Sequence, residues 1–198
     1  MNKGNIIFLN GVSSSGKTTL AKALQESLDE IYYLVSVDWF MLPGFMMPKK
    51  HVSYENANHI EMFKKTASGM NHTIKLYSDL GLNVVVDHVL LNYVFSKDPK
   101  TLEECVDLLH DYPVLFVNVT CPLKELHRRE KVRGDRHVGH AEEHLKYLVP
   151  KNTYDLVVDT HKETLEELVE KIIKALVNPK SITALKTLWI QQQKAPTY

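Results

Sequence analysis

The octapeptide "GVSSSGKT", residues 11–18, constrains this chain more than any other stretch. It matches G-x-x-x-x-G-K-[ST] in full. The apolar run "NIIFLN" (5–10) precedes it, and Leu20, Ala23, Leu24 and Leu28 then recur at helical spacing. A strand that feeds a Gly/Ser turn into a helix aims successive backbone N–H groups at one point. The helix N-terminus adds partial positive charge there, so the whole is a phosphate cradle. Lys17 is placed to bridge the outer phosphates and Thr18 to put its hydroxyl on Mg²⁺. A plain strand-to-helix turn is the alternative, but pattern and context agree against it. The nucleotide-binding candidates are therefore Gly11, Val12, Ser13, Ser14, Ser15, Gly16, Lys17, Thr18 and Thr19, with ATP as the expected cofactor.

The rest of the chain alternates strand and helix. Further strands are expected at 32–40, 83–91, 113–121 and 154–160, and helices at 58–80, 100–110, 122–132 and 163–177. Ile60, Phe63, Ala67, Met70, Ile74 and Tyr77 share one face of the longest helix, and Gly81 suits its end. The strand "NVVVDHVLL" is apolar without alternation, as in a parallel sheet covered on both faces. Such an order builds βαβ units with right-handed crossovers. Residues 41–58 read as an irregular segment with a Met cluster. Residues 178–198 read as an appendage with a short helix around 181–192 and a loose tail, after a kinase-like unit at 1–177.

Two carboxylates fall where ligands gather in open α/β sheets, at the carboxyl ends of strands. Asp87 ends a hydrophobic strand, as a magnesium-holding aspartate does. Asp38, in "SVDWF", is the candidate acceptor of a hydroxyl proton. Either is also an ordinary turn or N-cap residue. Trp39, Phe40, Met41, Phe45, Met46 and Met47 wall an acceptor pocket on one reading and pack the core on the other.

"RGDRHVGH" (133–140) admits three readings. Arginine is the usual counter to charge developing on a transferred phosphoryl group, which favours Arg133 and Arg136. Arg128 and Arg129 suit phosphate contact or an exposed helix face equally. His137, His140 and His144 have the spacing of a shared helix face, but Gly134 and Gly139 are expected to interrupt a helix there. They are read as polar lid residues rather than zinc ligands. An adhesion role for RGD needs an extracellular protein, which the N-terminus does not suggest.

The bulk properties narrow the class. With 24 basic and 24 acidic side chains the net charge is zero, which disfavours a dedicated nucleic-acid binder. Cys105 and Cys121 are isolated, which suits a reducing compartment. No apolar run is long enough for a signal peptide or a membrane span. The expectation is a cytoplasmic protein acting on neither membrane nor nucleic acid; a homo-oligomer is compatible with it.

Taken together, "GVSSSGKT", "VDWF", "VVVDHVLL", "RGDRHVG" and "YDLVVDTHKETLEE" resemble the chloramphenicol phosphotransferase-like family over residues 5–177. The resemblance implies the P-loop kinase fold of nucleoside-monophosphate and shikimate kinases, a five-stranded parallel sheet in order 2-3-1-4-5 with a short lid. It implies ATP-dependent phosphorylation of a small molecule's hydroxyl, with Asp38 as catalytic base and Arg133 and Arg136 handling phosphate. It also places Asp159 to Lys162, including His161, near the adenine. Where the namesake enzyme has an Asp-Asp pair after the third strand, this chain has Asp87-His88, and residues 39–58 and 178–198 match less well. The acceptor is thus left open. A different class, a nucleotide-dependent switch or ATPase module acting on a protein partner, is the second reading.

Overall fold

The computed structural model describes residues 2–41, 57–91, 100–134, 137–178 and 182–194. Five strands form one parallel sheet in the order β2-β3-β1-β4-β5, as expected. They are β1 (Ile6–Asn10), β2 (Tyr32–Ser36), β3 (Asn83–His88), β4 (Val114–Thr120) and β5 (Leu156–Asp159). The helices are α1 (Lys17–Ser27), α2 (Val37–Met41), α3 (Ala57–Asp79), α4 (Lys100–Leu109), α5 (Leu123–Arg133), α6 (His140–Leu145), α7 (Leu165–Leu176) and α8 (Ala184–Lys194).

The central strand β1 is buried throughout and pairs with β3 and β4 in register, Leu9 opposite Asp87 and Val117. Its alternate side chains feed two cores, which is why it has no polar face. Ile6 and Phe8 join Met70, Ile74, Val106 and Leu109 on the side of α3 and α4. Ile7 and Leu9 join Leu20, Leu24, Leu168 and Ile172 on the side of α1 and α7. Each fully buried aliphatic side chain contributes about 1.5–3 kcal/mol, and both faces of the sheet are filled this way. Gly81, at φ 77, ends α3 in the left-handed conformation that favours glycine. On α7, Thr164 and Glu167 form a reciprocal capping box.

Two expectations change. The second strand stops at Ser36 rather than running to residue 40, and α2 begins at once. Pairing with β3 ends at Ser36 opposite Asp87, and the Ser36 hydroxyl accepts the Asp38 N–H at 3.3 Å, a local bond that starts a helical turn. The third strand stops at His88, three residues early, because the Asn10 side chain takes up the Leu90 backbone in place of a ladder partner. The expected C-terminal helix is present as α8 and is packed: Ala184, Leu185 and Leu188 are buried in the α3–α4 core, and Trp189 stacks on His110 at 4.3 Å. The irregular segment and its Met cluster lie outside the described residues beyond Met41 and before α3, as does Arg136.

Candidate active site

The loop between β1 and α1 is held from three sides. Gly11 is pressed against β4, where a Cβ would lie 2.4 Å from the Val119 carbonyl oxygen. Its need for glycine is thus set by the sheet. Val12 is buried with Leu126 and Ala141, which ties the loop to α5 and α6. Ser14 and Gly16 take positive φ, 61° and 97°, curling the backbone into a cradle. The buried Ser14 and Ser15 hydroxyl oxygens have no hydrogen-bond partner. Orphaned buried polar atoms in a curled loop at a helix N-terminus fit a bound polyanion.

Lys17, only 6% exposed, donates to the Val12 carbonyl at 2.9 Å and lies 3.9 Å from an Asp87 carboxylate oxygen. The other Asp87 oxygen accepts the Thr18 hydroxyl at 2.6 Å. Asp87 is buried at the end of β3. Two hard oxygen donors therefore stand side by side at the mouth of the cradle, the donor chemistry that Mg²⁺ takes. Asp38 is half-buried, in the first turn of α2.

These groups meet in a cleft of about 450 Å³ at the carboxyl ends of the strands. Ser13, Ser14, Gly16, Lys17, Thr18, Thr19, Asp38, Asp87 and Arg133 all line it. Arg128 does not line it: it forms a bidentate pair with Glu125 at 2.7 Å and its side chain is 64% exposed. That pair and Arg129 hold the Glu125 carboxyl down to about 2. His161 and Lys162 are exposed and also outside the cleft lining; Lys162 lies 3.8 Å from Asp159.

Four residues of this neighbourhood have roles that the sequence does not assign, Arg129 among them although it is a candidate for phosphate contact. Arg129 reaches across to the Ser14 carbonyl at 3.3 Å and to the Thr160 hydroxyl at 3.0 Å. Thr160 donates to the Ser15 carbonyl at 2.7 Å, so β5 fixes the cradle from 145 positions away. Glu130 is buried and accepts the backbone N–H groups of Gly139 at 2.8 Å and Ala141 at 2.7 Å. Asn10 bonds Tyr154 and both backbone groups of Leu90, fixing the chain beyond Asp87. Asn10 and Thr160 carry a readable hint, as polar residues ending or following an apolar strand, while Glu130 carries none. His88, buried and stacked on Phe8, has neither ring nitrogen hydrogen-bonded. Burial, then the nearby Lys17 cation, presses its imidazole down to about 3.

A phosphate cradle opening a βαβ unit, an acidic partner on the neighbouring strand and a 2-3-1-4-5 sheet define the P-loop kinase class of phosphotransferases. Within that class the chain belongs to the chloramphenicol phosphotransferase-like family, whose model matches residues 4–177. "Putative O-phosphotransferase Rv2636" of Mycobacterium tuberculosis is 30% identical over 193 residues, covering 87% of this chain and 82% of its own length. The cytidine diphosphoramidate kinase of Campylobacter jejuni is 29% identical over 188 residues, covering 88% of this chain and 98% of its own. The Mycobacterium tuberculosis APS kinase CysC, solved with AMPPNP and APS, shares the fold at TM-score 0.63 and 18% identity, over 89% of this chain and 99% of that one. Among the described residues no helix is long and apolar enough to cross a membrane.

Proposed function

We propose that this protein moves the γ-phosphate of ATP to a hydroxyl group of a small molecule. One observation carries the reading: Lys17, the Thr18–Asp87 pair and Asp38 line a single cleft. The loop N–H groups and the Ser14 and Ser15 hydroxyls bind the phosphates. Lys17 exchanges its Val12 carbonyl for phosphate oxygen as the nucleotide enters. Thr18 and Asp87 are the residues that would hold Mg²⁺, which when bound neutralises charge on the β- and γ-phosphate oxygens.

Asp38 orients the acceptor hydroxyl and takes its proton. The acceptor oxygen then bonds to the γ-phosphorus as the bond to the β-phosphate oxygen breaks, releasing ADP. Arg133 meets the charge on the transferred group, and Arg136 is proposed to join it. Arg129 acts through the loop: with its guanidinium on Ser14 and Thr160, it positions the cradle. The relatives named as kinases and as an O-phosphotransferase support this reading without naming this chain's acceptor.

The test is ADP release over a panel of hydroxyl compounds, including chloramphenicol, aminoglycosides, sugars and nucleosides. At least one compound should stimulate release. Asp38→Asn should remove that stimulation, by about 10²–10⁴-fold as for a lost general base, while ATP binding stays within a few-fold. Normal turnover in Asp38→Asn would refute its role.

A further inference from the structure

We propose that the turn between α5 and α6 carries a binding site for a zinc-type divalent ion, formed by His137, His140 and Glu143. One ligand atom from each lies within 4.8 Å of the others, and the His137 Nε2 is 3.7 Å from a Glu143 oxygen. Ligands at about 2.0–2.1 Å from a tetrahedral zinc ion stand about 3.3 Å apart. The three therefore need to close by about 1.5 Å at most, which surface side chains achieve by rotating about their own bonds. The ring of His144 lies 4.3 Å from that of His140, one helical turn along α6, and packs beside the cluster without belonging to it.

Two of the three donors stand on the helix α6. As expected, the two glycines interrupt any helix through all three histidines, leaving His137 in the turn and His140 and His144 on α6. Gly134 closes α5 in the left-handed conformation, and Gly139, at φ 102°, is the residue before α6 begins at His140. His140 and Glu143 thus share a helix face at i and i+3, and the turn that precedes it brings in His137. The buried Glu130 carboxylate clamps Gly139 and Ala141 from beneath. The clamp thus fixes the start of α6, which carries two of the three donors.

Donor chemistry selects the ion. Imidazole nitrogen with one carboxylate suits zinc, copper or nickel, whereas magnesium takes oxygen donors and is left to Thr18 and Asp87. None of the three residues lines the phosphate cleft. The site is therefore separate from the proposed phosphoryl transfer, and either can fail alone. His127, paired with Glu142 at 3.0 Å on the adjoining helices, is outside the cluster and serves as a control.

The experiment is a calorimetric titration of the full chain with Zn²⁺ in excess Mg²⁺, repeated on His137→Ala, His140→Ala, Glu143→Gln and His127→Ala. Circular dichroism establishes that each variant is folded. One ion should bind per chain with micromolar affinity. His137→Ala and His140→Ala should each weaken it about tenfold or more, Glu143→Gln less, and His127→Ala not at all. Binding that survives both His137→Ala and His140→Ala overturns the proposal, as does the absence of saturable binding by the wild-type chain. Displacement by Mg²⁺ would equally overturn it.

Discussion

His88 and Glu130 are buried polar groups that flank the candidate site, one beside Asp87 and the other beside Arg129. The His88 imidazole stays neutral down to about pH 3, pressed there by burial first and by Lys17 second. In the unfolded chain a histidine titrates near 6.5. Between those values the unfolded chain binds a proton that the folded one refuses, so stability falls as pH drops from about 6.5 toward 3. Urea unfolding across that range should show the slope, and His88→Leu should flatten it; an unchanged slope would place the acid sensitivity elsewhere. Glu130 receives two backbone N–H groups on its carboxylate, bonds of the charge-assisted kind. Glu130→Ala strands both, and about 2–5 kcal/mol of stability should be lost in urea unfolding. A loss below about 0.5 kcal/mol would mean that water replaces the carboxylate.

At the scale of elements, local pattern was readable and the contacts between distant segments were not. The octapeptide announced its loop because its function demands small residues, a lysine and a hydroxyl at fixed offsets. Asp87 was readable because it breaks an apolar run. Glu130 was not, since "RREK" looks like any exposed helical face; it is buried only because the chain turns back at Gly139. Thr160 escaped for the same reason, and Arg129, read as either a phosphate contact or an exposed face, holds the loop instead: their roles come from bonds to Ser14 and Ser15, far away in sequence. The ends of strands β2 and β3 were overrun because apolar residues continue past the last ladder partner. What stopped the pairing were the side chains of Ser36 and Asn10, which compete for backbone groups. The glycines around the histidine turn are legible as helix breaks, and they bound α5 and α6.

At the scale of the molecule, the alternation of strands and helices makes a parallel sheet with a cleft at its carboxyl ends legible, whereas the strand order β2-β3-β1-β4-β5 is implied by the family resemblance and not by the pattern. The core is larger than the family match. That match ends at residue 177, yet α8 lies beyond it and buries Ala184, Leu185 and Leu188 against the rest. Its apolar residues are few and mixed with polar ones, so its contribution was hidden in a tail of unremarkable composition. Leu185→Ala should cost about 2–5 kcal/mol in urea unfolding, as for a buried core leucine. A near-zero cost would make the helix a dispensable cover.

The central claim is a group transfer, and the fate of one phosphate tests it. ATP labelled in the γ-phosphate is incubated with the protein, Mg²⁺ and the most stimulatory hydroxyl compound of the panel. The label should appear as a phosphate ester on that compound, in amounts equal to the ADP formed, and Asp38→Asn should abolish it. Label found only as inorganic phosphate, with no acceptor carrying it, would contradict the account and favour a nucleotide-hydrolysing module that acts on a protein partner.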